Sequence, residues 1–137
     1  MKIEPEEQDF DPDEFDEAAR VAAFSKGVTQ FDAGEYHAAH ESFEACWLSA
    51  EGGDADFYKG LIQASICLYH FDRGNLEGAR KLYGGHRRYL GAFLPAHAGI
   101  DVAALLEQMQ RVMRPILRPG TLDVRLEAED RPQLTSK

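Results

Sequence analysis

The chain has only two cysteines, Cys46 and Cys67, in 137 residues. Two thiols cannot build the disulfide framework of a small secreted domain, so a reducing cytoplasm is the expected location. No apolar run approaches the ~20 residues that cross a bilayer, and no membrane association is expected. The opening Met-Lys-Ile-Glu-Pro-Glu-Glu lacks the basic and then apolar order of a secretory signal. A strong basic face is missing too, which argues against a nucleic-acid partner. There is no glycine-rich phosphate loop after a strand, no nucleophile elbow, no Cys-x-x-Cys pair and no heme-attachment motif.

What is present is a formal charge of −9, and its location matters more than its size. Residues 1 to 17 carry nine acids against one lysine, while the other 120 carry 15 acids against 14 lysines and arginines. The body is therefore nearly neutral and the charge sits in a leader. Length allows one domain with one core. The expected division is an acidic leader over 1–12, a helical domain over 13–117 and an extended polar C-terminal arm over 118–137.

Apolar periodicity near 3.6 predicts an all-α bundle of about five helices, two antiparallel hairpins plus a fifth. The first helix runs from a cap at Asp13 to about Asp32, and Gly34 ends it in the left-handed position glycine tolerates. The second covers about Glu35 to Ala50 and stops at Gly52-Gly53. The third follows a cap at Asp54 or Asp56 and reaches Asp72. It is apolar around most of its circumference and so should be central. Asn75 caps the fourth, which runs to about Leu94, with Gly84-Gly85 marking either a break or a close approach. Residues 95 to 99 form a turn. Asp101 caps the fifth helix with Ile100 and Leu105 as a staple, and Pro115 ends it. Leu122 to Leu126 alternates like a strand but has no partner, and reads as an arm.

The hairpin is written twice. Phe31-Asp-Ala-Gly-Glu-Tyr-His-Ala-Ala39 aligns with Phe71-Asp-Arg-Gly-Asn-Leu-Glu-Gly-Ala79, with Phe, Asp, Gly and Ala repeated at an offset of 40. This suggests one helix–turn–helix unit stacked on its copy, like the turn of tetratricopeptide repeats.

The chemistry-bearing residues concentrate in Glu35 to Trp47. On a helix, His37, His40, Glu41 and Glu44 fall three or four apart, the spacing of a metal-ligand pair or of an imidazole and its orienting carboxylate. An antiparallel register around Gly52-Gly53 pairs residues whose numbers sum to about 105, which sets Gln63 to Ile66 opposite His40. His40, Glu44 and Gln63 can then share a layer, with His37 and His70 in the next. Trp47 lies on the same face, either as a core anchor or as a pocket wall. Cys46 and Cys67 read as buried thiols. Arg80, Lys81, Arg87 and Arg88 form a basic stretch that reads as a solvated helix face, with an anionic partner as the sharper reading.

The pattern His40-x-x-x-Glu44-x-x-Trp47, then Phe57-Tyr58-x-Gly60-Leu-Ile-Gln63, then His70-x-x-x-Gly74-Asn75-x-x-Gly78-Ala79 resembles domain-of-unknown-function family 309, over about Phe24 to Leu94. The resemblance implies a compact helical bundle whose His-x-x-x-Glu-x-x-Trp motif has been proposed to bind metal. It extends that proposal to His40, Glu44 and Trp47 only.

Two functional expectations follow. One is a metal site for zinc, manganese or nickel between helices two and three, open to hydrolytic chemistry. His40 and Glu44 would be ligands, His70 or Gln63 a third, and Trp47, Gln63, His70 and Tyr58 the pocket. The other is a non-catalytic, tetratricopeptide-like interaction module or homo-oligomer, with the repeated turns and exposed aromatics such as Tyr36 or Tyr89 as its contact surface and His40 and Glu44 as a structural buried pair. A small-molecule pocket roofed by Trp47 is a third reading.

Overall fold

The structure is a computed structural model, described here for residues 17–50, 52–121 and 124–135. Among the described residues there are five α-helices: α1 (Glu17–Asp32), α2 (Tyr36–Ser49), α3 (Asp54–Asp72), α4 (Leu76–Leu90) and α5 (Val102–Met113). The architecture is all-α, as the periodicity predicts. The expected cap at Asp13 lies outside the described residues. Each of α1 to α4 packs on the next in sequence, so α3 lies between α2 and α4. Its Phe57, Leu61, Ala64, Cys67 and Leu68 are fully buried, the central position its composition implies.

The two repeated turns coincide bond for bond. Glu35 N donates to Gln30 O and Asn75 N to His70 O, both at 2.8 Å. Gly34 N donates to Phe31 O and Gly74 N to Phe71 O, both at 3.0 Å. Gly34 and Gly74 sit at φ +83° and +82°, the left-handed conformation this helix stop demands. The second copy adds a side-chain cap, Gly78 N to Asn75 Oδ1 at 3.0 Å. The first has Glu35 at the cap position with no such bond.

Three local expectations are corrected. Neither Asp54 nor Asp56 caps α3. The cap residue is Gly53, and Asp54 falls inside the first turn, 3.0 Å from His97 Nε2. Helix α4 does not break at Gly84-Gly85. A Cβ on Gly85 would collide with Gln63 Oε1, so this glycine makes room for a side chain of α3 rather than for a backbone. The stretch before α5 is more than a turn: Ala96–His97 (β1) and Ile100–Asp101 (β2) form a small antiparallel ladder. Ala98 and Gly99 between them are both at positive φ, as a twist-matched two-residue hairpin requires. His97 seats the hairpin on α3, its ring 4.6 Å from Phe57.

Asp101 caps α5 by accepting from Ala104 N at 2.9 Å, and Ile100 and Leu105 are both buried. Helix α5 lies against the α3–α4 hairpin, where Met113 Sδ meets Cys67 Sγ at 3.6 Å. The chain passes through a 3-10 turn containing Pro115, and Ile116 O accepts from Arg80 of α4 at 3.0 Å. Residues 124–127 carry no regular structure. Leu122 and Asp123, the first two residues of the expected strand-like stretch, lie outside the described residues. The final segment returns to the repeated turns and buries Leu134.

Candidate functional site

Helix α2 buries Tyr36, Ala39, Phe43 and Cys46 at spacings of three and four. Once those four point into the core, the motif residues are turned outward. His40 and Trp47 are half-buried, while His37 and Glu44 are exposed. The sealed His–Glu pair of the structural reading therefore does not form, because Glu44 stands in solvent.

The antiparallel register can be read from ring contacts. Lys59 Nζ lies 5.6 Å from the Trp47 ring, and the His37 and Tyr69 rings are 5.3 Å apart. Both pairs sum to 106, one residue from expectation. The same register sets His40 opposite Ile66 and Glu44 opposite Ile62. His40 Nδ1 is 2.8 Å from the His37 carbonyl, so it donates there and leaves Nε2 as the accepting nitrogen. The His37 ring is 5.0 Å from His40, edge-on, and its Nδ1 is 3.8 Å from Glu41.

The other candidates are engaged elsewhere. Gln63 reaches toward α4 and fills the space over Gly85. His70 sits in the α3–α4 turn with Nδ1 3.3 Å from Asn75 Nδ2, and its ring edge covers Gly78. The Tyr58 ring packs 6.0 Å from Phe24 of α1 and 5.7 Å from Phe57, and burial raises its hydroxyl pKa. Among the described residues, no three His, Cys, Asp or Glu side chains are grouped to hold a metal ion. Burial pushes the Cys46 thiol up to about 11 and the Cys67 thiol up to about 12, which removes both as thiolate ligands or nucleophiles near neutrality.

What the arrangement does bring together is one outer face spanning three helices. Lys59 is held between Trp47 of α2 and Tyr89 of α4, 5.5 Å from the latter, and Arg88 lies 5.7 Å over Tyr89. At the other end of α3, Tyr69 touches His37 and His70 and carries Arg73 at 5.4 Å. Between these two clusters run the half-buried Ile62, Gln63 and Ile66. From Lys59 to Arg73 the face is about 21 Å long, at 1.5 Å per helical residue. Lys59 and Tyr69 are absent from the sequence-derived residues; Tyr89 is expected on a contact surface, but Tyr36, expected there with it, is buried. The expected register sets Tyr58 opposite Trp47, whereas the observed one, shifted by a residue, sets Lys59 there.

Residues 24–82 match the sequence model of a family described as domain of unknown function (DUF309). The uncharacterized protein YpuF of Bacillus subtilis (strain 168) is 34% identical over 91 residues, covering 60% of this chain and 52% of YpuF. The chain thus spans about half the length of that curated relative. The family match takes in α2, α3 and the first half of α4, and with them His40, Glu44, Trp47, Gln63 and His70.

Proposed function

We propose that this chain, similar to the DUF309 family over residues 24–82, is a non-catalytic interaction module that binds an acidic segment of a partner on the outer face of α2, α3 and α4. One observation carries the reading: three cations, Lys59, Arg73 and Arg88, are held over aromatic rings along a single face. An aromatic face under a cation is partly desolvated and fixed in position, so a carboxylate arriving there meets an ordered donor. Ile62 and Ile66 lie between the two cationic ends, with His40 and the exposed Glu44 of α2 alongside them, and helical-repeat folds present extended surfaces of this kind. No helix of the described residues is long and apolar enough to cross a membrane.

Trp47 is the only tryptophan, which makes its emission a site-specific reporter. An octaglutamate probe added to the full chain at low salt should change that emission saturably. Lys59→Ala should weaken the response about fivefold, and an octalysine control should give none. An emission that ignores octaglutamate would end this reading.

A metal at His40 and Glu44 is kept as a second reading on one geometric point. His40 donates Nδ1–H to a backbone carbonyl, the arrangement that metal-bound imidazoles use to aim Nε2. Metal analysis of tag-free protein after equilibration with zinc, manganese or nickel decides it. Stoichiometric retention that His40→Ala abolishes supports the site, and retention below one-tenth equivalent removes it.

A further inference from the structure

Each copy of the repeated turn presents one aspartate, and the C-terminal segment engages both. Asp32 accepts from Leu134 N at 2.6 Å, from Thr135 N at 3.2 Å and from Thr135 Oγ1 at 2.6 Å. Its backbone carbonyl takes a bond from Gln133 Nε2 at 3.2 Å. Asp72, the equivalent residue 40 positions on, accepts from Arg131 Nη2 at 2.9 Å. The same guanidinium lies 5.4 Å over the Tyr36 ring. From α5, Gln108 imitates a neighbouring strand, accepting from Gln133 N at 2.9 Å and donating to Gln133 O at 3.1 Å. Leu134 is 3% exposed, and Pro132 is buried beside it.

This is how a receptor reads an extended peptide. Main-chain bonds supply affinity, and side-chain sites supply identity. Arginine is selected by the Asp72 carboxylate and the Tyr36 face, leucine by its burial, and threonine by the Asp32 carboxylate. The stretch leading into the segment is held differently. Residues 117–120 are exposed. Residues 124–127 run between two cavities of about 840 and 230 Å³ that share Phe71 and those four residues as walls. Among the described residues from 117 to 130 only Leu126 is buried, so attachment is concentrated in the last five described residues. That division is the one in which an identical segment is exchanged between protomers at low cost.

We propose that the two Phe-Asp-x-Gly turns, with Tyr36 and Gln108, form a receptor for extended Arg-Pro-x-Leu-Thr segments. It is filled in cis by residues 131–135 and, when the cis strap releases, by the same segment of a second copy. Covalent attachment gives the cis strap a local concentration in the millimolar range, so it holds the receptor in dilute solution.

The test uses a dye-labelled peptide of residues 128–137 and the full-length chain carrying Arg131→Ala, Leu134→Ala and Thr135→Ala to empty the receptor. Saturable binding is expected. Adding Asp72→Asn should weaken it about tenfold or more, the worth of a charge-assisted hydrogen bond. An arginine-to-alanine peptide should bind equally poorly. Helical protein that shows no saturable binding, or binding indifferent to Asp72→Asn, overturns the proposal. If the emptied variant does not fold, the wild-type chain decides. Millimolar peptide should then speed hydrogen exchange at the Leu134 and Thr135 amides of the protein, and rates unchanged by peptide overturn it.

Discussion

His86 gives a prediction with a worked magnitude. It is fully buried on α4, with Nδ1 bonded to the Tyr83 carbonyl and Nε2 without a hydrogen-bond partner. Burial lowers its pKa to about 4, the Tyr83 bond opposes this, and nearby Arg87 adds to it. In the unfolded chain the same imidazole titrates near 6.5. Between those values the unfolded state holds a proton that the native state refuses, so stability must fall as the pH drops through that window. The gap of about 2.5 pKa units is worth about 3 kcal/mol at 1.36 kcal/mol per unit. Most of that is lost by pH 4.5, and none is lost above about pH 7.5. This is a large part of a typical domain stability of about 5–15 kcal/mol. The perturbation is His86→Leu, and the assay is urea unfolding of both proteins at several pH values from 4.5 to 7.5. The variant starts with its own offset from repacking, but the difference between the two curves should change by about 2.5 kcal/mol across the series. Every titrating group other than residue 86 is common to both proteins, so its contribution cancels in the difference. A difference that stays constant with pH refutes the claim that His86 is buried neutral.

Two further predictions concern packing and reactivity. Gly60→Ala sets a Cβ 2.5 Å from Leu90 Cγ and 3.3 Å from the Leu90 backbone nitrogen, so it should cost about 1–3 kcal/mol despite the helix propensity gained. Gly84→Ala meets nothing within 4 Å among the described residues and should stabilise by up to about 1 kcal/mol; thermal denaturation ranks the pair, and the reverse order contradicts the packing. With thiols pushed up to about 11 and about 12, Cys46 and Cys67 should resist a disulfide-exchange reagent at pH 8 until denaturant is added. Labelling of either within minutes in native buffer would show that its helix opens.

The fold was legible because its signals are local. Glycines at 34 and 74, caps at Asn75 and Asp101, and the apolar circumference of α3 each act within a turn or two of chain. Where they failed, a distant group had overruled them. Asp54 looks like a helix cap but is drawn to His97, 43 residues away. Gly85 looks like a helix breaker but serves Gln63, 22 residues back. The repeat was visible at an offset of 40, yet its conserved-looking aspartates carried no hint that one C-terminal segment grips both. The candidate site was legible as a location rather than as a chemistry. The spacing of His40, Glu44 and Trp47 places them on one face, and the register places α3 beside them. Which side of α3 Gln63 and His70 choose depends on the absent side chains of Gly85 and Gly78, and so on α4.

The most direct test of the binding face is residue-resolved. Amide resonances of the full chain should be followed while octaglutamate is titrated in at low salt. Shifts confined to the outer residues of α2, α3 and α4, centred on Trp47, Lys59, Tyr69 and Tyr89, are the predicted result. Shifts centred instead on the Asp32 turn and residues 131–135, or spread evenly over the surface, would contradict it.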